Sequence, residues 1–223
     1  MFDAKLLSLL DTVIDSYIHK GDPVWSKFLH SLEDISYAPS TLRKYLHILE
    51  KSGFVYQPYN SSGRIPTIQW LSAYLEYHMA DDVVNDTSWE LDVVGARDDL
   101  KHIVEALGNI TDGVVAWFIR NDEYYFLWIN NLLNDTMHTE YSMVREIATF
   151  IENKKVITLL DEKLMKKDKI YYSFFEDGDI VISCLYCKIF VGWYDCVLTI
   201  VGPTRVNYKK NVAILKKVLQ TLG

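Results

Sequence analysis

From Ala4 to Ile18 the apolar side chains Leu6, Leu9, Leu10, Val13, Ile14, Tyr17 and Ile18 recur at spacings of three and four. That is the period of a helix burying one stripe, and Lys20-Gly21 ends it. After a Gly-Asp-Pro break, Trp25, Phe28, Leu29 and Leu32 predict a second, shorter helical stripe. A third helix opens at Pro39, a residue favoured at the first helical position, and runs to about Lys51. Its inward stripe is Leu42, Tyr45, Leu46 and Leu49, which leaves Arg43, Lys44, His47 and Lys51 along the opposite side.

Gly53 closes that helix, and "FVYQP" reads as a short strand ended by proline. Arg64-Ile65 starts a returning strand, with Tyr59 to Gly63 as the hairpin tip, and Pro66-Thr67 launches a helix carrying Trp70, Leu71, Tyr74, Leu75 and His78. Three helices, a two-stranded hairpin and a further helix predict a winged helix-turn-helix, whose third helix enters the DNA major groove. Small polar residues and one guanidinium at the hairpin tip then make sense as groups that approach the phosphate backbone. Gly63 would remove steric bulk and Arg64 would offer a planar fork of donors.

"ADDVVNDTS", Ala80 to Ser88, reads as a linker. Beyond it come a helical stretch from Asp98 to Leu107, a hairpin of "GVVAWFIR" and "EYYFLWIN" joined at Asn121-Asp122, and a helix from Met143 to about Leu160. The strands "KIYYSFF", "DIVISCLYC" and "WYDCVLTIVG" and a closing helix from about Val206 to Leu222 follow. The expected organisation is a DNA-binding domain at 1–80, a linker at 81–88 and an α+β domain at 89–223.

The formal net charge of −7 opposes general attraction to nucleic acid unless positive groups gather on one face. Residues 1–80 are nearly balanced, with Lys5, Lys20, Lys27, Arg43, Lys44, Lys51 and Arg64 set against a similar number of carboxylates, and the acidic excess begins at Asp81-Asp82. No apolar run approaches the roughly 20 residues of a membrane helix, and no basic stretch leads into an apolar one at the N-terminus. Cys184, Cys187 and Cys196 are odd in number and fit a reducing cytosol, so the expected address is cytoplasmic.

The stretches "GDPVWSK", "TLRKYLHILEKSGFVYQP" and "SSGRIPT" together resemble the DNA-binding domain of the bacterial heat-inducible transcription repressor HrcA. "LTIVGPTRVNYKK" resembles that family's closing segment. The resemblance implies a dimeric repressor on an inverted-repeat operator upstream of chaperone genes, kept active by the chaperonin GroEL. It also implies a GAF-like second domain with an inserted dimerising subdomain, here reduced between Ile129 and Lys169 in a shortened member. Carried over by motif, Ser26-Lys27 lie at the start of the second helix, Arg43 in the recognition helix, and Ser61, Ser62, Gly63 and Arg64 in the wing. Trp25, Lys44 and Asn60-Ser61-Ser62 depart from the family's usual glycine, asparagine and Thr-Ser-Ala.

In an isolated helix Ser40, Thr41, Arg43, Lys44 and His47 would read as an ordinary solvated face, but the hairpin that follows favours contact with double-stranded DNA. Lys51 and Asn60 join that set. For Arg64 the alternative is a hairpin-stabilising ion pair, and phosphate or minor-groove contact is favoured.

Cys184 and Cys187 spell CxxC, yet side chains three apart in a strand point to opposite faces, so core thiols are expected and no metal site. The six histidines show no ligand spacing. Glu176, Asp177 and Asp179 around Gly178 are most simply a turn, Ser173 and Ser183 lack a neighbouring base, and no glycine loop cradles a phosphate; neither an enzyme nor a cofactor is expected. The aromatic hairpin from Trp117 to Trp128 is read as core rather than pocket. Two rivals to the repressor remain: a metabolite-sensing regulator of the same architecture, and an interaction protein with a decayed DNA-binding face.

Overall fold

The computed structural model describes residues 4–80, 97–119, 123–127, 141–153, 166, 168–177, 180–191 and 194–222. The chain forms two compact units, Met1–Tyr77 and His78–Gly223. The expected linker at 81–88 lies outside the described residues.

In the first unit α1 (Ala4–Lys20), α2 (Ser26–His30) and α3 (Pro39–Lys51) precede a hairpin of β1 (Val55–Tyr56) and β2 (Ile65–Pro66), and α4 (Ile68–Ala80) follows. The periodic stripes meet in one core of Leu9, Leu10, Val13, Val24, Leu29, Leu42, Leu46, Leu49 and Val55. Each such side chain contributes on the order of 1.5–3 kcal/mol by leaving water.

Gly21 and Gly53 stop α1 and α3 by turning left-handed, at φ 72° and 77°. The Gly21 N–H returns to the Tyr17 carbonyl at 2.8 Å, and the Phe54 N–H to that of Leu49 at 3.0 Å. Thr67 starts α4: its hydroxyl donates to the Gly53 carbonyl at 2.8 Å and accepts from the Trp70 N–H at 3.3 Å. On α4, Leu71, Tyr74 and Leu75 are buried, and the Tyr74 hydroxyl donates to Asp15 on α1 at 2.9 Å.

One expectation fails within α2. Trp25 does not belong to its inward stripe; it precedes the helix in extended backbone and is 48% exposed. The stripe reduces to Leu29, with Phe28 and Leu32 packed beside it.

The second unit opens with α5 (Arg97–Ile110), followed by β3 (Val114–Ile119), β4 (Glu123–Leu127) and α6 (Tyr141–Glu152). It continues with β5 (Ile170–Asp177), β6 (Ile180–Val191) and β7 (Tyr194–Pro203), and closes on α7 (Tyr208–Leu222). The strands form one antiparallel sheet in the order β4-β3-β7-β6-β5, with Trp117 opposite Tyr125 and Leu198. Val114, Ala116, Phe118, Cys184 and Val197 share a face with Ile147, Phe150 and Ile151 of α6. The alternate residues, among them Trp117, Leu185, Cys187 and Leu198, point to the other face, which α5 and α7 pack against. The architecture is α+β. The helix expected to reach Leu160 runs to Glu152, with Asn153 in a turn after it; residues 154–160, like Trp128 and the Asn121-Asp122 turn, lie outside the described residues.

Candidate nucleic-acid interface

Helix α3 begins after Ala38, whose extended backbone (φ −62°, ψ 150°) leads into Pro39. Burial of Leu42, Leu46 and Leu49 fixes the rotation of the helix, and Tyr45 meets Tyr37 edge-on at 5.5 Å. Ser40, Arg43, Lys44, His47 and Lys51 are therefore exposed, and Thr41 is half-buried. Ser40 to Lys51 spans about 16 Å at the helical rise. Among the described residues, the side chains of Arg43 and Lys44 make no ion pair, so two cations stand open to solvent on one face.

The chain just ahead of α2 pairs with the hairpin. Val24 and Arg64 exchange backbone hydrogen bonds of 2.8 and 2.9 Å. This brings the start of α2, the middle of α3 and the hairpin around a cleft of about 180 Å³ whose wall includes Trp25, Ser26, Arg43, Ser62, Gly63 and Arg64. Ser26 is half-buried and Lys27 exposed.

The hairpin tip is a tight turn in which the Ser62 N–H donates to the Tyr59 carbonyl at 3.0 Å, with Ser61 left-handed at φ 61°. Asn60 and Ser61 are exposed at its apex. Ser62 is 4% exposed: its hydroxyl donates to the Gly63 carbonyl at 3.0 Å, and its own carbonyl accepts from the Gln57 amide at 3.0 Å. The need for glycine at 63 differs from the one expected. A Cβ there would lie 2.6 Å from the Pro23 carbonyl carbon and oxygen, so the absent side chain makes room for the fold's own backbone rather than for a phosphate.

Arg64 likewise departs from expectation. Its Nη2 donates to Glu50 Oε2 at 2.9 Å and its Nη1 to the Ser62 carbonyl at 3.3 Å. The side chain is 17% exposed, so the guanidinium ties the hairpin to α3, as the alternative ion-pair reading had it. His47 Nδ1 lies 3.7 Å from the same Glu50 oxygen. Glu50 is the site residue that sequence reasoning missed. It stands one turn after His47 on the cationic face, but nothing local marks a partner fourteen residues away.

The cysteines are core thiols: Cys184, Cys187 and Cys196 are buried and form no disulfide. Desolvation pushes Cys187 up to about 12 and Cys184 higher still, which leaves both protonated and unreactive. Among the described residues no cluster of three metal-ligating side chains occurs, and no helix is long and apolar enough to cross a membrane.

No family model matches the chain. It is 32% identical over 112 residues to the heat-inducible transcription repressor HrcA of Syntrophobacter fumaroxidans, a match covering 50% of this chain and 32% of that protein. It is 34% identical over 188 residues to the protein of the same name from Acholeplasma laidlawii, covering 75% of this chain and 55% of the other. The chain thus spans about half the length, or less, of these curated relatives. In structure it is similar to a crystallised hypothetical protein, with a TM-score of 0.73 at 16% identity over 99% of this chain and 97% of that one, a likeness of fold. In sequence, then, the chain is similar to heat-inducible transcription repressors named HrcA over up to 78% of its own length.

Proposed function

We propose that the chain is a cytoplasmic transcriptional repressor of heat-shock and chaperone genes that binds an inverted-repeat operator as a homodimer. The observation that carries this reading is the exposed cationic face of α3 beside the hairpin, in a molecule whose net charge is −7. An acidic protein repels a duplex at long range, so productive contact needs cations concentrated where the duplex docks. The likeness in sequence to HrcA repressors supports the regulatory role.

In this reading residues 1–80 are a winged helix-turn-helix and 81–88 a linker, while 89–223 form a GAF-like domain for dimerisation and regulation. Arg43, Lys44 and His47, with Ser40 and Thr41, meet base edges and nearby phosphates in the major groove. Ser26, Lys27 and Lys51 meet phosphates on either side, and Asn60 and Ser61 reach the backbone from the hairpin apex. Ser62, Gly63 and Arg64 act one step back, holding the hairpin against α3. One such module covers too little DNA for tight specific binding, and twofold pairing joins two half-sites. GroEL is the chaperonin partner in this reading, and no cofactor or catalytic step is involved.

The test is a footprint on the DNA upstream of the host's chaperone genes. Protection of an inverted repeat, lost on Arg43→Ala, is expected. Uniform or absent protection would remove the assignment.

A further inference from the structure

We propose that Trp25 is an uncharged contact to the sugar-phosphate backbone, built into the same face; this rests on the DNA-binding reading above. A tryptophan at the residue before a helix does little for the fold. It cannot cap the helix as Ser, Thr, Asp or Asn would, and no side-chain cap bond forms here. Nor does it join the core: its side chain is 48% exposed, and among the described residues no aromatic ring stacks against it. Phe28, one turn on, is the ring that packs inward and carries the Lys20 ammonium 3.4 Å from its centroid.

The cleft wall explains what such a residue can do. Trp25 and Arg43 line the same cleft, one from the start of α2 and the other from the exposed face of α3. In a helix-turn-helix the helix ahead of the recognition helix crosses the DNA backbone. A strand running over the cleft would offer its phosphate to the Arg43 guanidinium and its deoxyribose to the flat indole. The indole N–H is a further donor for a phosphate oxygen. A sugar-phosphate strand fits better than a base, because Trp25 stands just ahead of α2, the helix that crosses the backbone, and not on α3, the helix that enters the groove.

The contact has a signature that no charged residue shares. An apolar contact displaces no counterion, so it changes affinity without changing the dependence on salt, and it acts on any duplex sequence. The experiment titrates a labelled inverted-repeat duplex and a scrambled duplex with wild type, Trp25→Ala and Trp25→Phe across a range of salt. Expected for Trp25→Ala is a loss of about tenfold on both duplexes, the order set by one aromatic face leaving the interface. The log–log salt slope should stay unchanged, and Trp25→Phe should recover most of the loss. Melting temperature and sedimentation confirm that each variant is folded and of unaltered oligomeric state.

Equal binding by wild type and Trp25→Ala would overturn the inference while leaving the repressor reading in place. So would a loss confined to the operator, a shallower slope, or a change in oligomeric state, which would make this a protein contact. A wild type that binds neither duplex would fail the repressor reading itself and this inference with it.

Discussion

Replacing Glu50 by glutamine keeps the side chain's shape and removes the charge that Arg64 holds on to. In the native chain Glu50 Oε2 accepts from Arg64 Nη2 at 2.9 Å, with the two side chains 28% and 17% exposed. That places the pair between an exposed ion pair, contributing about 0–1 kcal/mol, and a charged hydrogen bond out of water, contributing about 1.5–3 kcal/mol. Arg64 Nε is already buried with no partner among the described residues, so the guanidinium has little to fall back on. We therefore expect Glu50→Gln to lower the stability of the N-terminal unit by about 1–2 kcal/mol, or roughly 5–15 °C in melting temperature for a unit of this size. A double-mutant cycle with Arg64→Met should return a coupling of about 1–2 kcal/mol. DNA affinity should move the other way. Losing a carboxylate from the cationic face frees the Arg64 charge, so Glu50→Gln should tighten duplex binding and steepen the salt slope by up to about 0.9. Arg64→Ala removes no phosphate contact, so the slope should change by much less than 0.9, while the uncovered Glu50 carboxylate weakens binding to any duplex. The reasoning is refuted if Glu50→Gln leaves the melting temperature unchanged while Arg64→Ala cuts the slope by about one, since Arg64 would then be a phosphate contact and not a brace.

Two further outcomes follow from the same unit. Gly63→Ala drives a Cβ to 2.6 Å from the Pro23 backbone and should cost about 1–3 kcal/mol in chemical denaturation, whereas Ser61→Gly, at φ 61°, should cost nothing or stabilise slightly. Tyr74 titrates above the ordinary tyrosine range because burial, and then Asp15, disfavour its phenolate. The unfolded phenol ionises near pH 10 while the folded one stays protonated, so its contribution is complete below about pH 10 and is lost as pH rises beyond it. Urea midpoints at pH 8 and pH 11 should differ more for the native chain than for Tyr74→Phe.

The longer helices of the first unit were legible because each buries leucines at helical spacing, a period that does not depend on partners distant in sequence. Leu42, Leu46 and Leu49 alone set which side of α3 faces out, and thus exposed Arg43 and Lys44 to sequence reading. The sheet followed from β-branched and aromatic runs, and the opposite faces of Cys184 and Cys187 from the two-residue strand period. What escaped was decided by partners distant in sequence. Gly63 is small because Pro23-Val24, some forty residues earlier, passes against it. Arg64 turns inward because Glu50 waits on α3, and an arginine fork satisfies a carboxylate as readily as a phosphate. Trp25 read as core because hydrophobicity does not say whether a side chain just ahead of a helix turns in or out.

The central claim is that Arg43 and Lys44, open on α3, draw a duplex to an acidic protein. Its most direct test is the affinity of the native chain and of Arg43→Ala for an inverted-repeat duplex and a scrambled one, from low to physiological salt. The account predicts a steep linear fall of log affinity with log salt. It also predicts a native preference for the repeat that Arg43→Ala reduces by about 1–3 kcal/mol, the discrimination of one guanidinium on a base pair. A flat salt dependence, or equal affinity of native and Arg43→Ala chains for both duplexes, would contradict it.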